Sequence, residues 1–249
     1  MLILRDINLT LGKSTKLERK ILNNLSLDIK PGEFIVVIGG NGAGKSTMFN
    51  VISGFLRPDS GQIIINEQDA TNMSQVRRSA LVSKVMQDPR VGTMENLTIF
   101  ENMAFAFKRG QKRGLMPFFN NSSGKFFQQK LQMLDMGLEN LMDELVSNLS
   151  GGQRQAISLI MSILADSKLL LLDEITAALD PGSSEAIMKL TAKIIKEEQR
   201  TCIMITHNMD HAINYGDRLL LLQNGTFIAD YGSDVKSKLD YATLASNFL

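Results

Sequence analysis

Residues 39–46 carry the residue types and spacing of a phosphate-binding loop. They read Gly-Gly-Asn-Gly-Ala-Gly-Lys-Ser and match the pattern G-x-x-x-x-G-K-[ST] in full. Glycines let successive backbone N–H groups curl around phosphate oxygens, and a helix that starts at the loop adds its N-terminal partial positive charge. We expect Lys45 to reach the β- and γ-phosphates and Ser46 to bind Mg²⁺. The predicted nucleotide-binding residues of this segment are Gly39, Asn41, Gly42, Ala43, Gly44, Lys45, Ser46 and Thr47.

The segments on either side of the loop have the patterns that such a loop requires. Phe34–Ile38 is an apolar run typical of a buried strand, and residues 47–52 can continue as a helix. The alternative is a glycine-rich turn with a coincidental Lys-Ser pair. The strand, loop and helix in sequence favour the binding of a nucleoside triphosphate.

A second glycine-containing segment can bind an anion by the same physics. Residues 149–153 read Leu-Ser-Gly-Gly-Gln and lead into a predicted helix, so the Ser150 hydroxyl and two glycine amides lie at a helix start. By itself Ser-Gly-Gly is equally typical of a flexible turn. The phosphate loop before it and the acidic strand after it favour the anion site.

Two carboxylates follow a strand that is apolar on both faces. Residues 169–172 are four leucines, typical of a central strand in a parallel sheet, and Asp173 and Glu174 come directly after them. Open α/β sheets bind their ligands at the carboxyl ends of strands. We therefore expect Asp173 to hold Mg²⁺ through water and Glu174 to orient and polarise an attacking water. The alternative, a surface acidic pair, needs both charges to follow the strand by chance.

His207 follows the apolar run at residues 202–206 and is expected to reach the γ-phosphate at the same edge of the sheet. A structural histidine is the alternative. His211 lies four residues further on and could pair with His207 at a metal site. No third ligand accompanies the two at a suitable spacing, so a phosphate contact is favoured.

Length, charge and cysteine content limit the class of protein. The chain has 249 residues, enough for one large domain, and 27 Lys and Arg against 26 Asp and Glu give no global charge signature for nucleic acid. Cys202 is the single cysteine and lies in an apolar run, where a buried thiol is expected. No window approaches the ~20 apolar residues of a membrane-spanning helix. If the protein works at a membrane, we expect it to do so from outside the bilayer.

The chain changes in character between residue 88 and about residue 148. Before residue 30, alternation of polar and apolar residues predicts short half-buried antiparallel strands, whereas residues 97–107 and 126–134 have helical spacing. The basic segment 108–125, with Phe118 and Phe119, could face lipid or nucleic acid. A solvated loop is the favoured interpretation. The pattern predicts a helical subdomain inserted into an α/β protein.

Taken together, these motifs resemble the nucleotide-binding subunit of an ATP-binding cassette (ABC) transporter. The resemblance rests on the phosphate loop, Gln87, the Leu-Ser-Gly-Gly-Gln segment, residues 169–174, Leu179-Asp180 and His207, and it covers essentially the whole chain. It implies an α/β fold with a P-loop NTPase (RecA-like) core and mixed sheet, an N-terminal antiparallel β subdomain and an inserted α-helical subdomain. It implies a single ABC ATPase domain over residues 1–249. Residues 1–87 and 160–249 form its β and RecA-like parts, and residues 88–159 form the helical subdomain with the signature.

The resemblance also implies roles at the matching positions. Ser150, Gly151, Gly152 and Gln153 match the signature that covers the γ-phosphate bound to a second copy. Asp180 matches an aspartate that communicates across the dimer. Leu11 stands near the position where the family usually stacks an aromatic side chain on adenine. The implied catalytic residues are Glu174, His207, Gln87 and Lys45, and the implied Mg²⁺ ligands are Ser46, Gln87 and Asp173.

The implied function is ATP hydrolysis that drives solute transport through a separate transmembrane permease. Import is favoured because residues 143–148 lack the Thr-x-Val-Gly-Glu pattern of many exporters. The implied partners are a second copy in an ATP-dependent head-to-tail homodimer, permease subunits at the cytoplasmic face of the plasma (inner) membrane, and a periplasmic or lipoprotein solute-binding protein. No nucleic acid partner is implied. The alternatives are a soluble ABC ATPase, such as one for iron-sulfur cluster assembly, and a small-molecule kinase.

Overall fold

Two β-sheets with flanking helices make up the residues that the computed structural model describes, namely 1–110, 121–239 and 244. The strands are β1 (Leu2–Leu11), β2 (Arg19–Ile29), β3 (Phe34–Ile38), β4 (Ser60–Ile65), β5 (Gln68–Asp69), β6 (Val82–Val85), β7 (Leu169–Asp173), β8 (Thr201–Ile205), β9 (Arg218–Gln223) and β10 (Thr226–Tyr231). The helices are α1 (Lys45–Ser53), α2 (Gln75–Arg78), α3 (Pro89–Gly92), α4 (Ile99–Phe107), α5 (Asn121–Gln132), α6 (Gly151–Leu164), α7 (Pro181–Glu197), α8 (Met209–Asn214) and α9 (Ser233–Lys236).

The larger sheet is mixed and has the strand order β10-β9-β3-β8-β7-β6. Strands β9, β3, β8, β7 and β6 run parallel, and β10 pairs antiparallel with β9. Asn224 and Gly225, both with positive φ, form the predicted turn between β9 and β10. The smaller sheet is antiparallel, with the order β2-β1-β4-β5. This arrangement has the mixed and antiparallel sheets that the sequence predicts.

The central strands are buried on both faces because two hydrophobic cores lie on opposite sides of the mixed sheet. In β7, Leu170 and Leu172 pack with the helices in one core, whereas Leu169 and Leu171 pack against the antiparallel sheet in the other. Alternate side chains of a strand point to opposite faces, so a strand between two cores must be apolar throughout. Cys202 in β8 is fully buried, as expected for this pattern.

The two N-terminal strands differ from the expected short segments. β1 has 10 residues and β2 has 11, and they form one long antiparallel ribbon whose register shifts at three points. The shifts let one pair of strands bend while it stays paired. The alternation of polar and apolar residues predicts half-buried strands, and the polar residues lie on the outward face of the ribbon.

Helices α3 to α6 occupy most of the segment in which the sequence predicts a helical subdomain. Thr98 and Glu101 form a capping box at the start of α4, and Phe107 of α4 packs edge-on against Phe127 of α5. α6 continues through the expected border between residues 159 and 160, so this domain division stays a prediction. The basic residues Lys112 and Arg113 and the aromatic pair Phe118 and Phe119 lie outside the described residues.

A buried arginine supports the helix that follows the phosphate loop. The Arg78 guanidinium donates to the carbonyl oxygens of Val51 (2.6 Å) and Ile52 (3.2 Å) at the end of α1, and to those of Ala70 and Thr71. The last carbonyl groups of a helix have no partner within the helix. Arg78, only 1% exposed, therefore adds buried donors to these carbonyl groups, of which Val51 and Ala70 also accept from the backbone N–H groups of Gly54 and Met73.

Replacing Arg78 with leucine should lower the free energy of unfolding by about 1–3 kcal/mol, because buried carbonyl oxygens lose their donors. Urea denaturation followed by circular dichroism measures the change. The matched control is Arg77→Leu on the exposed face of the same helix, for which we expect a change within about 0.5 kcal/mol. Equal effects of the two substitutions would show that Arg78 does not have this role.

Candidate functional site

The predicted phosphate loop connects the carboxyl end of β3 to the start of α1. Gly42 and Gly44 have φ angles of +78° and +106°, which side chains with a Cβ rarely adopt. A Cβ on Gly39 would lie 2.2 Å from the carbonyl oxygen of Leu222 in β9, so this position accepts only glycine. These glycines are required by the backbone path and by the close approach of β9.

Lys45 is the first residue of α1, and its ammonium lies inside the loop. Nζ donates to the carbonyl oxygens of Gly39 (2.8 Å) and Gly40 (3.0 Å), and the residue is 6% exposed. Burial lowers the pKa of Lys45, and the carboxylates of Glu174 and Asp173 act in the opposite direction. An ammonium held by carbonyl oxygens at a glycine-rich loop can exchange them for phosphate oxygens.

Glu174 and His207 meet at the ends of neighbouring parallel strands. β7 and β8 stay in register up to Asp173 and Ile205, so the residues that follow both strands leave the sheet at the same edge. Glu174 Oε1 lies 2.8 Å from His207 Nε2. Glu174 has a φ of +49°, a conformation that costs a non-glycine residue on the order of 1–3 kcal/mol. The chain accepts this strain at the residue whose carboxylate contacts His207.

One cavity, with a volume of about 220 Å³, contains the loop and both of these side chains. Its lining residues are Arg19, Ile21, Asn41, Gly42, Ala43, Gly44, Lys45, Ser46, Thr47, Glu174 and His207. The structure therefore brings most of the predicted loop together with Glu174 and His207. These elements are far apart in the sequence and meet because β3, β8 and β7 are neighbours.

Arg19 and Ile21 of β2 also line this cavity, although no motif in the sequence points to them. Leu11, the expected cover for the base, lies at the end of β1 opposite Arg19 in the strand register. It is not among the lining residues, and its role stays a prediction. Arg19 and Ile21 reach the loop through the pairing of distant segments, which cannot be derived from residue types.

Gln87 and Asp173 line a second and larger cavity of about 560 Å³, together with Gly151 of α6. Asp173 ends β7, and its Oδ2 lies 2.9 Å from Nζ of Lys84 in the neighbouring strand β6. Gln87 follows β6 and is exposed. The structure thus places these predicted groups beside the loop cavity rather than in its lining.

The Leu-Ser-Gly-Gly-Gln segment starts α6 and lies outside the loop cavity. The Ser150 hydroxyl accepts a hydrogen bond from the Gln153 N–H (3.2 Å), and the Gln153 side chain accepts one from the Ser150 N–H (3.1 Å). Asp180 caps α7 by accepting from the Ser183 N–H at 3.0 Å, and hydrogen bonds from Ser183 lower the pKa of Asp180. Ser150, Gly151 and Asp180 are all exposed. The structure does not bring these predicted nucleotide-binding residues to the phosphate loop of the same chain.

The expected metal ligands have the donor chemistry that Mg²⁺ requires. Ser46, Asp173 and Gln87 offer hydroxyl, carboxylate and amide oxygens, which are hard ligands. Among the described residues there is no cluster of three or more His, Cys, Asp or Glu side chains that could hold a metal by itself. Such a donor set fits Mg²⁺, which commonly keeps waters and phosphate oxygens among its ligands.

The two histidines have separate partners. His207 contacts Glu174, whereas His211 is buried, with Nδ1 3.5 Å from the Thr176 hydroxyl and Nε2 3.9 Å from Glu185. Burial lowers the pKa of His211, against the effect of Glu185 and Asp210.

The loop, the acidic strand end and the mixed sheet define a P-loop nucleotide-binding protein. The family model described as "ABC transporter" matches residues 22–177, which is more than half of the chain. The chain belongs to the ABC transporter family, as a cassette that binds and hydrolyses ATP. The predicted family, fold class and ATPase activity are confirmed.

Two relatives cover nearly the whole chain. The tyrosine transport ATP-binding protein of Clostridioides difficile (strain R20291) is 42% identical over 228 residues, covering 92% of this chain and 90% of the relative. The thiamine import ATP-binding protein ThiQ of Yersinia pseudotuberculosis is 32% identical over 241 residues, covering 97% and 96%. Both are named as ATP-binding proteins of transport systems. The prediction of an ATP-binding transporter subunit is thereby confirmed.

Solved structures of ATP-binding cassettes have the same fold. One is the dimeric post-hydrolysis state of the cassette MJ0796 bound to ADP and Pi, with a TM-score of 0.80, 26% identity and coverage of 94% of this chain and 99% of that one. Another is cbiO1 of Clostridium perfringens, part of the transporter complex cbiONQ, with a TM-score of 0.80, 26% identity and coverage of 99% and 91%. Within the described residues, no helix combines the length and apolar character needed to cross a bilayer.

Proposed function

We propose that Glu174, His207, Lys45 and Gln87 carry out ATP hydrolysis at the loop cavity. The observation that carries this proposal is the pairing of Glu174 with His207 at 2.8 Å in a cavity lined by the phosphate loop. Glu174 accepts a hydrogen bond from the attacking water and polarises it. His207 and Gln87 contact the γ-phosphate and the water. Lys45 exchanges its loop carbonyls for the β- and γ-phosphate oxygens.

The residues that fit Mg²⁺ lie at the same edge of the sheet. Ser46, Asp173 and Gln87 would hold the ion, which when bound neutralises phosphate charge. The protein groups themselves keep the nucleotide in place: the loop amides and the start of α1 hold the phosphates, and Lys45 supplies a fixed positive charge.

The completed site needs a second copy of the chain. The signature residues Ser150, Gly151 and Gly152 lie at the start of the 14-residue helix α6, outside the loop cavity of their own chain. A helix start with exposed N–H groups is suited to a phosphate. A second copy in head-to-tail orientation would place this helix start on the γ-phosphate. ATP then joins the two copies, and hydrolysis removes the group that joins them.

Replacing Glu174 with glutamine should separate binding from chemistry. The amide can still lie beside the attacking water but cannot polarise it as a carboxylate does. Turnover should therefore fall by about 10²–10⁴-fold. ATP binding should persist, and the ATP-bound protein should accumulate as a dimer. Phosphate release, calorimetry and light scattering measure the three properties.

Glu197→Gln is the matched control, because Glu197 is exposed at the end of α7. The control should behave as the unmodified chain. Turnover in Glu174→Gln that equals the control would remove Glu174 from its proposed role.

The transport process in which this ATPase acts is import of a small solute, with an amino acid as the favoured class. Support comes from the relative at 42% identity, which is named for tyrosine transport, and from the relative named for thiamine import. The chain then binds a permease at the cytoplasmic face of the plasma (inner) membrane, and a periplasmic or lipoprotein solute-binding protein delivers the solute. The permease, not this chain, contacts the solute.

The α3 side of the larger cavity is the proposed docking site for the permease, because Asp173 and Gly151 elsewhere in the lining are assigned above to Mg²⁺ and to the second copy. Pro89 and Val91 supply apolar groups there beside the charged Asp88 and Arg90, and Val91 is 68% exposed. Because Gln87 lies in the same lining, a partner seated there would contact a residue of the hydrolysis site. This contact would couple solute movement to hydrolysis.

Replacing Val91 with glutamate should reduce the amount of permease that copurifies with the tagged chain from native membranes by at least about fivefold, as a charge replaces an apolar contact. Val76→Glu is the matched control, since Val76 is 80% exposed on α2, away from the cavity. Quantitative mass spectrometry compares the two. Equal permease recovery in both variants contradicts the docking site. If no membrane protein is recovered with the unmodified chain, a soluble ABC ATPase is favoured.

A further inference from the structure

Lys84 of the neighbouring strand β6 forms an ion pair with Asp173, the carboxylate that is expected to bind Mg²⁺. Lys84 Nζ lies 2.9 Å from Asp173 Oδ2, and the two side chains are 16% and 13% exposed. The ammonium also lies 3.5 Å from the Asn50 side-chain oxygen and 5.8 Å from the centre of the Phe49 ring. Both contacts come from α1, the helix that begins at the phosphate loop. Lys84 is thus held between α1 and the end of β7, beside the proposed metal site.

Asp173 has a cationic partner before any ligand binds. It pairs with Lys84, whereas Lys45 and Arg19 line the loop cavity together with Glu174. Without Lys84, Asp173 would present an unpaired negative charge in a largely buried position, where a phosphate must also be accommodated. A buried or partly buried charge without a partner is costly, and like charges repel most strongly where water is excluded.

We propose that Lys84 stands in for Mg²⁺ as the counter-cation of Asp173 when the metal is absent. This inference rests on the magnesium site proposed above and adds a residue to it. Lys84 neutralises Asp173 when nucleotide binds without metal, and its ammonium would leave the carboxylate when Mg²⁺ is bound there. Lys84 is therefore a positioning residue that acts through Asp173 and weakens the dependence of nucleotide binding on Mg²⁺.

Lys84 in this role reduces the coupling between Mg²⁺ binding and nucleotide binding. The coupling between Mg²⁺ and nucleotide is the ratio of the nucleotide dissociation constant without metal to that with metal. Without metal, loss of Lys84 leaves the charge of Asp173 unpaired and raises the nucleotide dissociation constant. With metal, loss of Lys84 removes a competitor of Mg²⁺ for Asp173 and lowers that constant. Both effects raise the ratio. A purely structural defect would weaken both affinities alike and leave the ratio unchanged.

The test is isothermal titration calorimetry of ADP binding to the full chain, once with EDTA and once with millimolar MgCl₂. ADP is used because it avoids hydrolysis. We expect Lys84→Met to raise the ratio about tenfold, within the usual range of coupling between two sites, chiefly by weakening metal-free binding. Lys84→Arg should keep the ratio of the unmodified chain because it restores the charge. Lys84→Gln, with a polar side chain, provides a second neutral variant if Lys84→Met does not fold.

Lys168→Met is the matched control. Lys168 also pairs with an aspartate at 2.9 Å, Asp166, but it lies before β7, at the opposite end of that strand from Asp173. This control should leave the ratio unchanged. A ratio above one in the unmodified chain that stays the same in both neutral Lys84 variants overturns the inference and leaves the magnesium site standing. Ratios near one in every variant overturn the magnesium site and the inference together.

Discussion

Three parallel strands, β3, β8 and β7, end at the same edge of the mixed sheet, and the proposed hydrolysis site depends on this constraint. The phosphate loop follows β3, and His207 follows β8 with one residue between them. Asp173 is the last residue of β7, and Glu174 comes directly after it. Each strand is buried on both faces, so its lateral position is fixed by two cores. A side chain at a strand end therefore has a defined place even though its sequence neighbours are irregular.

Buried charges and a strained backbone occur together at this edge of the sheet. Lys45 is buried against loop carbonyls, Glu174 has a left-handed backbone, and Asp173 is paired with Lys84. Each of these arrangements would be unfavourable in an isolated loop. The packed strands of the mixed sheet hold the residues in these positions. The signature helix start lies elsewhere on the surface, outside the loop cavity, and this separation is the basis for the proposal that two copies complete each site.

Much of this could be predicted from the sequence because the relevant signals are local. The glycine spacing at residues 39–46, the four leucines before Asp173 and the Asp180-Pro181 helix start each report on a few neighbouring residues. Apolar runs of five residues also predict strands between two cores. The family motifs then place those elements in one fold.

Features that depend on pairing between distant segments could not be predicted. Arg19 belongs to the long β1–β2 ribbon and lines the loop cavity, a position that no local pattern encodes. Lys84 belongs to no recognisable motif, and its contact with Asp173 follows from β6 lying beside β7. The full length of β1 and β2 follows from their pairing with each other, which the alternation of polar and apolar residues does not encode.

The central claim is that each hydrolysis site combines the phosphate loop of one copy with the signature of another. The most direct measurement mixes two inactive chains, one with Lys45→Ala and one with Ser150→Arg, and follows phosphate release. Random pairing gives mixed dimers with one intact site in half of the dimers, so the account predicts recovery of about a quarter of the unmodified rate. No recovery in a mixture whose subunits are shown to exchange, or full activity of the Ser150→Arg chain alone, would contradict it.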